Sequence, residues 1–230
     1  MGNFVHLHVH TEYSILDGAT KIAVAAKKAK ALGMPALAIT DHGNMYGAVN
    51  FFDACEKEGI KAIIGTEFYV CDDLTVKSGK AKINNLVLLC KNEEGYKNIS
   101  LLNAIAFRDG FYYKPRIDLK TLEAHHEGLI CLSACLAGDI PQAILNRNFD
   151  EAERLVLWFK NLFGEDFYLE MQNHMLEEQL EVNKYLRTYA KKYGIKLVAT
   201  NDVHYLERSD AESQDVLMCV QMGADYDDPK

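Results

Sequence analysis

No stretch of this 230-residue sequence is apolar for long enough to span a membrane, no signal-peptide pattern opens it, and no internal repeat or low-complexity tract interrupts it. A cytoplasmic protein without a membrane partner is expected. Positive charge is also in short supply: 25 Lys and Arg against 33 Asp and Glu leave a formal net charge of −8. That balance argues against a broad electrostatic grip on nucleic acid, which needs clustered cations, and leaves negative charge that divalent ions can offset locally. The six cysteines form no CxxC pair and mostly sit in apolar runs, so all but Cys135 read as buried, reduced thiols. Neither GxxxxGKS/T nor GxGxxG occurs, which removes the P-loop and the dinucleotide fingerprint, and no Ser-His-Asp arrangement stands out.

Hydrophobic residues make up 49% of the chain, enough for a sizeable core in a single domain over 1–230. They gather in short runs at 4–8, 36–40, 62–70, 86–90, 129–133, 167–171 and 196–200, most of them bounded by Gly, Pro, Asn or Asp, which read as strands. Helical patterns lie between them at 22–32, 48–58, 96–106, 150–163 and 176–193, with Gly33 and Gly59 as C-terminal caps of the first two. This alternation predicts an α/β barrel or a doubly wound sheet.

His8 and His10 sit at the mouth of the first run. A period of two would put both imidazoles on one strand face, about 7 Å apart along the chain and able to share a metal ion. The same pair could instead fill a core or bond a carbonyl. What turns the reading toward metal is that other polar residues fall just beyond strand ends. Asp41 and His42 follow the second run, Cys135 the fifth, Gln172, Asn173 and His174 the sixth, and Asp202 with His204 the seventh, while Glu67 lies late in the third. In α/β barrels a site is assembled on that face from several strand ends. Asn85 precedes its run, so that strand is expected to run the other way or to belong to a loop insertion. His6 reads as a core residue or a support for the pair, and Asp41 either as a ligand or as a carboxylate that orients a histidine. The loop Tyr112-Tyr113-Lys114-Pro115-Arg116 fits a nucleotide-binding loop, stacking a base and pairing a phosphate, and equally a surface turn with an Arg salt bridge. His174 is a candidate substrate contact or proton donor. Lys114, Arg116 and His174 together form the expected substrate-binding set.

The strings LHVHTEYSILDG, ITDHGNMYGAVNF, IIGTEFYV, NLVLLCKNEEGYKN, GFYYKPRID, LSACLAGDIP, LEMQNH and VATNDVHYL, in this order over essentially the whole chain, resemble the PHP (polymerase and histidinol phosphatase) domain. The closer likeness is to the branch at the amino terminus of bacterial C-family replicative polymerases, the DNA polymerase III alpha subunits. The resemblance implies a distorted (β/α)7 barrel with a metal cluster at the C-terminal ends of its strands. It implies two or three divalent ions: one held by His8, His10, Glu67 and Asp202, a second by Glu67, the residue at 85 and Cys135, and a third by Asp17, His42 and His204. Imidazole, carboxylate and thiolate donors suit zinc, manganese or iron. His8, His10, Glu67, Asp202 and His204 would form the catalytic group. Asn85 departs from the pattern, which has a histidine there, and weakens the second site. The implied activity is phosphodiester hydrolysis, as a 3′-5′ proofreading exonuclease on the 3′ end of DNA, with DNA polymerisation confined to a full-length chain. Its partners would be DNA, the rest of that polymerase and replisome exonuclease or clamp subunits, and residues 209–230 would be a tail leading to the palm. Two alternatives stand beside it: a scaffold that has lost its chemistry and docks a separate exonuclease, and a histidinol-phosphate phosphatase-like enzyme.

Overall fold

The computed structural model describes residues 4–79 and 82–228. Strands β1 (Ala36–Ile39), β2 (Lys61–Cys71), β3 (Ile83–Cys90), β4 (Arg116–Asp118), β5 (Leu129–Leu132), β6 (Phe167–Met171) and β7 (Lys196–Ala199) form a curled sheet in the order β1-β2-β3-β5-β6-β7, and β4 pairs with β2. Around it lie α1 (Ile22–Ala31), α2 (Ala48–Glu58), α3 (Glu93–Arg108), α4 (Leu119–Ala124), α5 (Asp139–Leu145), α6 (Phe149–Phe163), α7 (Glu177–Tyr193) and α8 (Ala211–Met222). This is the distorted α/β barrel expected. Local chemistry sets the helix ends. Gly59 takes a left-handed φ of 65° to close α2, and the Asn92 side chain accepts the Gly95 N–H at 3.0 Å to open α3.

Because both faces of the sheet are covered, alternate residues of one strand enter different cores. Leu86 and Leu88 of β3 pack outward with Ile99, Phe159 and Leu169, whereas Val87 and Leu89 turn inward with Ala38, Leu132 and Ala134. A further core joins α1 and α2 to β1 through Ala26, Phe51 and Ile39. A cavity of about 860 Å³ opens between Leu7, Ile64, Leu89 and Val198, at the barrel end away from the predicted site. No helix among the described residues is long and apolar enough to cross a membrane.

Three expectations are resolved or corrected here. β3 is antiparallel to both β2 and β5, so Asn85, near its start, arrives at the end where parallel strands finish. The first run, 4–8, is not a regular strand. Ala38 N–H donates to His6 O and Thr40 N–H to Val9 O, so three residues of this segment face two of β1. The extra residue is a bulge, and it takes His6 off the face shared by His8 and His10. On its other side, His10 N–H donates to Val203 O and Val203 N–H to His8 O, and this short seam brings the first segment against the chain leaving β7. Finally, residues 209–228 are not a plain tail. They hold α8, whose Gln214 side chain donates to Asp17 O and whose Cys219 is buried.

Candidate metal centre

The bulged segment and the strand ends bring His8, His10, Glu67 and Asp202 to one point. His8 Nε2 lies 3.1 Å from His10 Nε2, 3.4 Å from Glu67 Oε1 and 3.3 Å from Asp202 Oδ1. His10 Nε2 lies 3.3 Å from Glu67 Oε2 and 3.2 Å from Asp202 Oδ1. Donors placed tetrahedrally around an ion at about 2.0–2.1 Å stand about 3.3–3.4 Å apart; the Nε2 atoms of His8 and His10 lie close to that spacing from each other and from Asp202 Oδ1, and each also meets one of the two Glu67 oxygens. His8, His10 and Glu67 are buried, and Glu67 Oε2 and Asp202 Oδ1 are buried oxygens without a hydrogen-bond partner.

Proton bookkeeping points the same way. His8 Nδ1 lies 2.7 Å from Glu170 Oε1, and since a carboxylate only accepts, Nδ1 carries the proton. Ser14 Oγ donates to Asp41 Oδ1 at 2.7 Å, so at its 3.0 Å contact with His10 Nδ1 it accepts. Both Nε2 atoms are thus left with lone pairs facing each other, an arrangement that a cation between them stabilises. Without one, a proton takes its place. Burial opposes charge on His8, but Asp202, Glu170 and Glu67 outweigh it and raise its pKa well above the ordinary histidine value. Burial likewise opposes ionisation of Glu67 and Asp202, yet the charge that His8 takes up without a metal holds both below the usual carboxylate range.

A second group adjoins the first. The His10 ring packs against those of His42 and His204, with centroids 4.1 and 4.3 Å away. His42 Nε2 is 2.8 Å from Asp17 Oδ2, and its Nδ1 is 2.8 Å from Glu67 Oε2 without a hydrogen-bonding angle. Burial opposes its protonation, but Asp17 and Glu67 push its pKa up to about 9. His204 Nδ1 donates to its neighbour's carbonyl, Asp202 O, at 2.9 Å, leaving Nε2 free 3.9 Å from Asp17 Oδ2, and burial beside His10 lowers its pKa. Backbone turns aim these groups: Asp202 itself has φ 49°, and Leu16, Gly43 and Ala134, next to Asp17, His42 and Cys135, have φ of 61–63°. A β-carbon at Gly43 would also meet Pro115 Cγ at 2.8 Å.

The region expected to form a further site holds Glu67 Oε1, Asn85 and Cys135. Asn85 Nδ2 donates to Glu67 Oε1 at 3.1 Å, and Cys135 Sγ lies 3.9 Å from the same oxygen. Burial, then the charges of Glu67 and Asp202, raise the thiol pKa, so the sulfur is a thiol here and a thiolate only beside a cation.

The expected substrate contacts part company. Lys114 is exposed, with Nζ 3.3 Å from Tyr69 Oη, and the Tyr69 ring stacks on His42 at 5.8 Å, so this cation reaches the rim of the centre. His174 also sits at a strand exit, bonded to Asn201 O at 2.9 Å and to the Gln179 amide at 2.9 Å. Arg116 is neither a phosphate contact nor a surface salt bridge: it is fully buried, bonding the carbonyls of Gly110 and Val76 and lying against the Tyr112 ring. Of the open readings, Asp41 is the orienting carboxylate, accepting from Thr11 N–H, Thr11 Oγ1 and Ser14 Oγ. Sequence reasoning missed Glu170 and Ser14, which fix the tautomers. A charged residue inside the apolar run 167–171 was the signal for the first.

A curled α/β barrel with imidazoles and carboxylates converging at its strand ends defines the class of α/β barrel that carries a candidate metal centre at that face. The chain belongs to the PHP domain family, which matches residues 6–174. It is 48% identical to a DNA polymerase III subunit alpha of Borreliella burgdorferi over 98% of its length, and 46% identical to that of Treponema pallidum over 99%. It spans about a fifth of the length of these relatives. The fold resembles a protein assigned as a metal-dependent phosphoesterase from Bifidobacterium adolescentis, with a TM-score of 0.54 and 16% identity over 87% of each chain. An amidohydrolase from Chromobacterium violaceum gives a TM-score of 0.59 and 15% identity over 89% of this chain and 88% of that one.

Proposed function

We propose that the centre is a divalent-metal phosphodiesterase site of the 3′-5′ exonuclease kind, serving the proofreading of a DNA polymerase III alpha chain in the cytoplasm. The observation that carries this is the set of donor separations of 3.1–3.4 Å among His8, His10, Glu67 and Asp202. Two or three ions of zinc, manganese or iron suit these donors, His42, Asp17 and His204 taking one and Glu67, Asn85 and Cys135 another. Bound ions would supply activated water and neutralise charge developing on the phosphate. The chain does the rest. Glu170 and Ser14 keep the Nε2 atoms of His8 and His10 turned inward, and the bond from His204 Nδ1 to Asp202 O turns its Nε2 toward Asp17, where an outer ion would sit. Lys114 and His174 at the rim meet the phosphate and the strand end.

The test is release of nucleotides from single-stranded or mismatched DNA 3′ ends by the purified chain with manganese, alongside elemental analysis. Asp202→Ala should abolish release, and activity that survives it belongs to a contaminant. Asn85 favours a second reading, since its amide nitrogen donates to Glu67 and offers a poor ligand, as in a scaffold that docks a separate exonuclease. A wild type inert with manganese, zinc and iron would support that reading instead.

A further inference from the structure

The chain carries an excess of acid, and the first turns of α7 share it through Glu177, Glu178 and Glu181, but the rest of this helix presents a cationic row. On α7, Lys184, Arg187 and Lys191 follow at helical spacing on the exposed side, a row about 10 Å long. Among the described residues none of the three has an ion-pair partner, although the adjacent Lys192 is paired with Glu153. Arg187 also lines a cleft of about 260 Å³ between α7 and the exits of β6 and β7, and the same cleft is lined by Asn173 and Asn201. Asn201 immediately precedes Asp202. The side-chain amide of Asn201 and the amide nitrogen of Asn173 are without partners among the described residues. Free amide donors next to the centre, followed outward by three uncompensated cations, form a path whose chemistry matches a polyanion rather than an apolar or acidic surface.

We infer that this path is the track of a single nucleic-acid strand whose end enters the centre: Asn173, Asn201 and Arg187 hold the backbone next to the scissile phosphate, and Lys184 and Lys191 hold the phosphates beyond. The track rests on the reading of the centre as a nucleic-acid phosphodiesterase. It needs no broad basic surface, because only a few phosphates are gripped.

The experiment measures binding of a 5′-fluorescein oligothymidylate by anisotropy, in EDTA so that no strand is cut, over a range of salt concentrations. The triple variant Lys184→Gln, Arg187→Gln, Lys191→Gln keeps helix-forming side chains, and the control Lys27→Gln, Lys30→Gln, Lys57→Gln makes the same change of net charge on α1 and α2. The track requires the α7 variant to bind about tenfold or more weakly, and its plot of log affinity against log salt to lose about two units of slope, as expected for three lost contacts to a single strand. The control should match the wild type. Equal losses in both triples, unchanged binding in the α7 triple, or no strand binding by the wild type would each overturn the track, the last turning attention to an acidic protein partner. Hydrolysis of bis(p-nitrophenyl) phosphate by the metal-loaded wild type, a substrate with no strand to thread, tests the centre separately. Its absence would overturn the hydrolytic reading while a selective loss of binding in the α7 triple still upheld the track.

Discussion

A single buried carboxylate decides which nitrogen of His8 faces the centre. Glu170 Oε1 accepts the hydrogen bond from His8 Nδ1–H and is itself held by Thr200 Oγ1 and by Gln172 Nε2 at 3.2 Å, so the imidazole can neither flip nor change tautomer cheaply. Glu170→Ala should therefore weaken metal binding by about 10–100-fold, and Glu170→Gln, which keeps an acceptor oxygen, by less, as read by competition with a zinc chelator. Glu67 faces all three ligand groups, so Glu67→Ala should empty more than one site, whereas Cys135→Ala should affect only the metal content near Asn85. Asn85→His would replace an amide donor by an imidazole beside Glu67 and Cys135. A rise in metal stoichiometry is expected, with a modest gain in any hydrolysis, and unchanged stoichiometry would mean that position 85 does not serve a metal. The ligand types were legible in the sequence because His, Asp and Cys clustered after apolar runs. Their supports were not: Glu170 acts on His8 across the fold, 162 residues away, and Ser14, although near His10 in the chain, meets it through a turn that no apolar period marks.

Elements were legible where their pattern was long. The helices at 48–58 and 150–163 coincide with α2 and nearly with α6, and the reversal of β3 was foreshadowed by Asn85 standing on the wrong side of its run. The three-residue β4, six-residue α4 and seven-residue α5 were too short to show a period, and the bulge before His8 cannot be seen from alternation alone. The β2–β3 pairing invites a direct test. Gly65 lies opposite Leu89, and a β-carbon there would meet Leu88 O and Leu89 Cδ2, both at 2.6 Å. Gly65→Ala should cost about 1–3 kcal/mol in thermal or denaturant unfolding, from overpacking in the strand pair. Gly79→Ala, where nothing lies within 4 Å, should be close to neutral.

At the scale of the molecule, protons and metal ions compete for the same places. A ligating imidazole must be neutral, and His42 has its pKa pushed up to about 9 while His8 is raised as well. Metal affinity should thus rise with pH until both imidazoles are neutral, through and beyond the region near about 9 where His42 loses its proton, with protons released on binding. Calorimetric titrations in buffers of different ionisation enthalpy would show that release, and a pH-independent affinity would mean that the histidines are not ligands. Stripping the metal should lower stability by about 3 kcal/mol where the free ion stood at a hundred times its dissociation constant. The loss should concentrate at the seam, where His8 and His10 meet Asp202 across the bonds to Val203, and amide exchange of these residues should quicken before that of β2 and β3.

The same seam governs when the centre can come into being. Nearly the whole chain separates His8 from Asp202, so closing them together carries a loop-entropy cost among the largest in the fold, beside that of Asp17 and Gln214, and is expected to follow the pairing of the strands between. During synthesis the first histidines emerge early and must wait for the chain beyond β7. A nascent chain that has delivered every strand but not Asp202 is a nearly finished barrel with open ligands, and capture of its ion then reports that the last segment has arrived and docked.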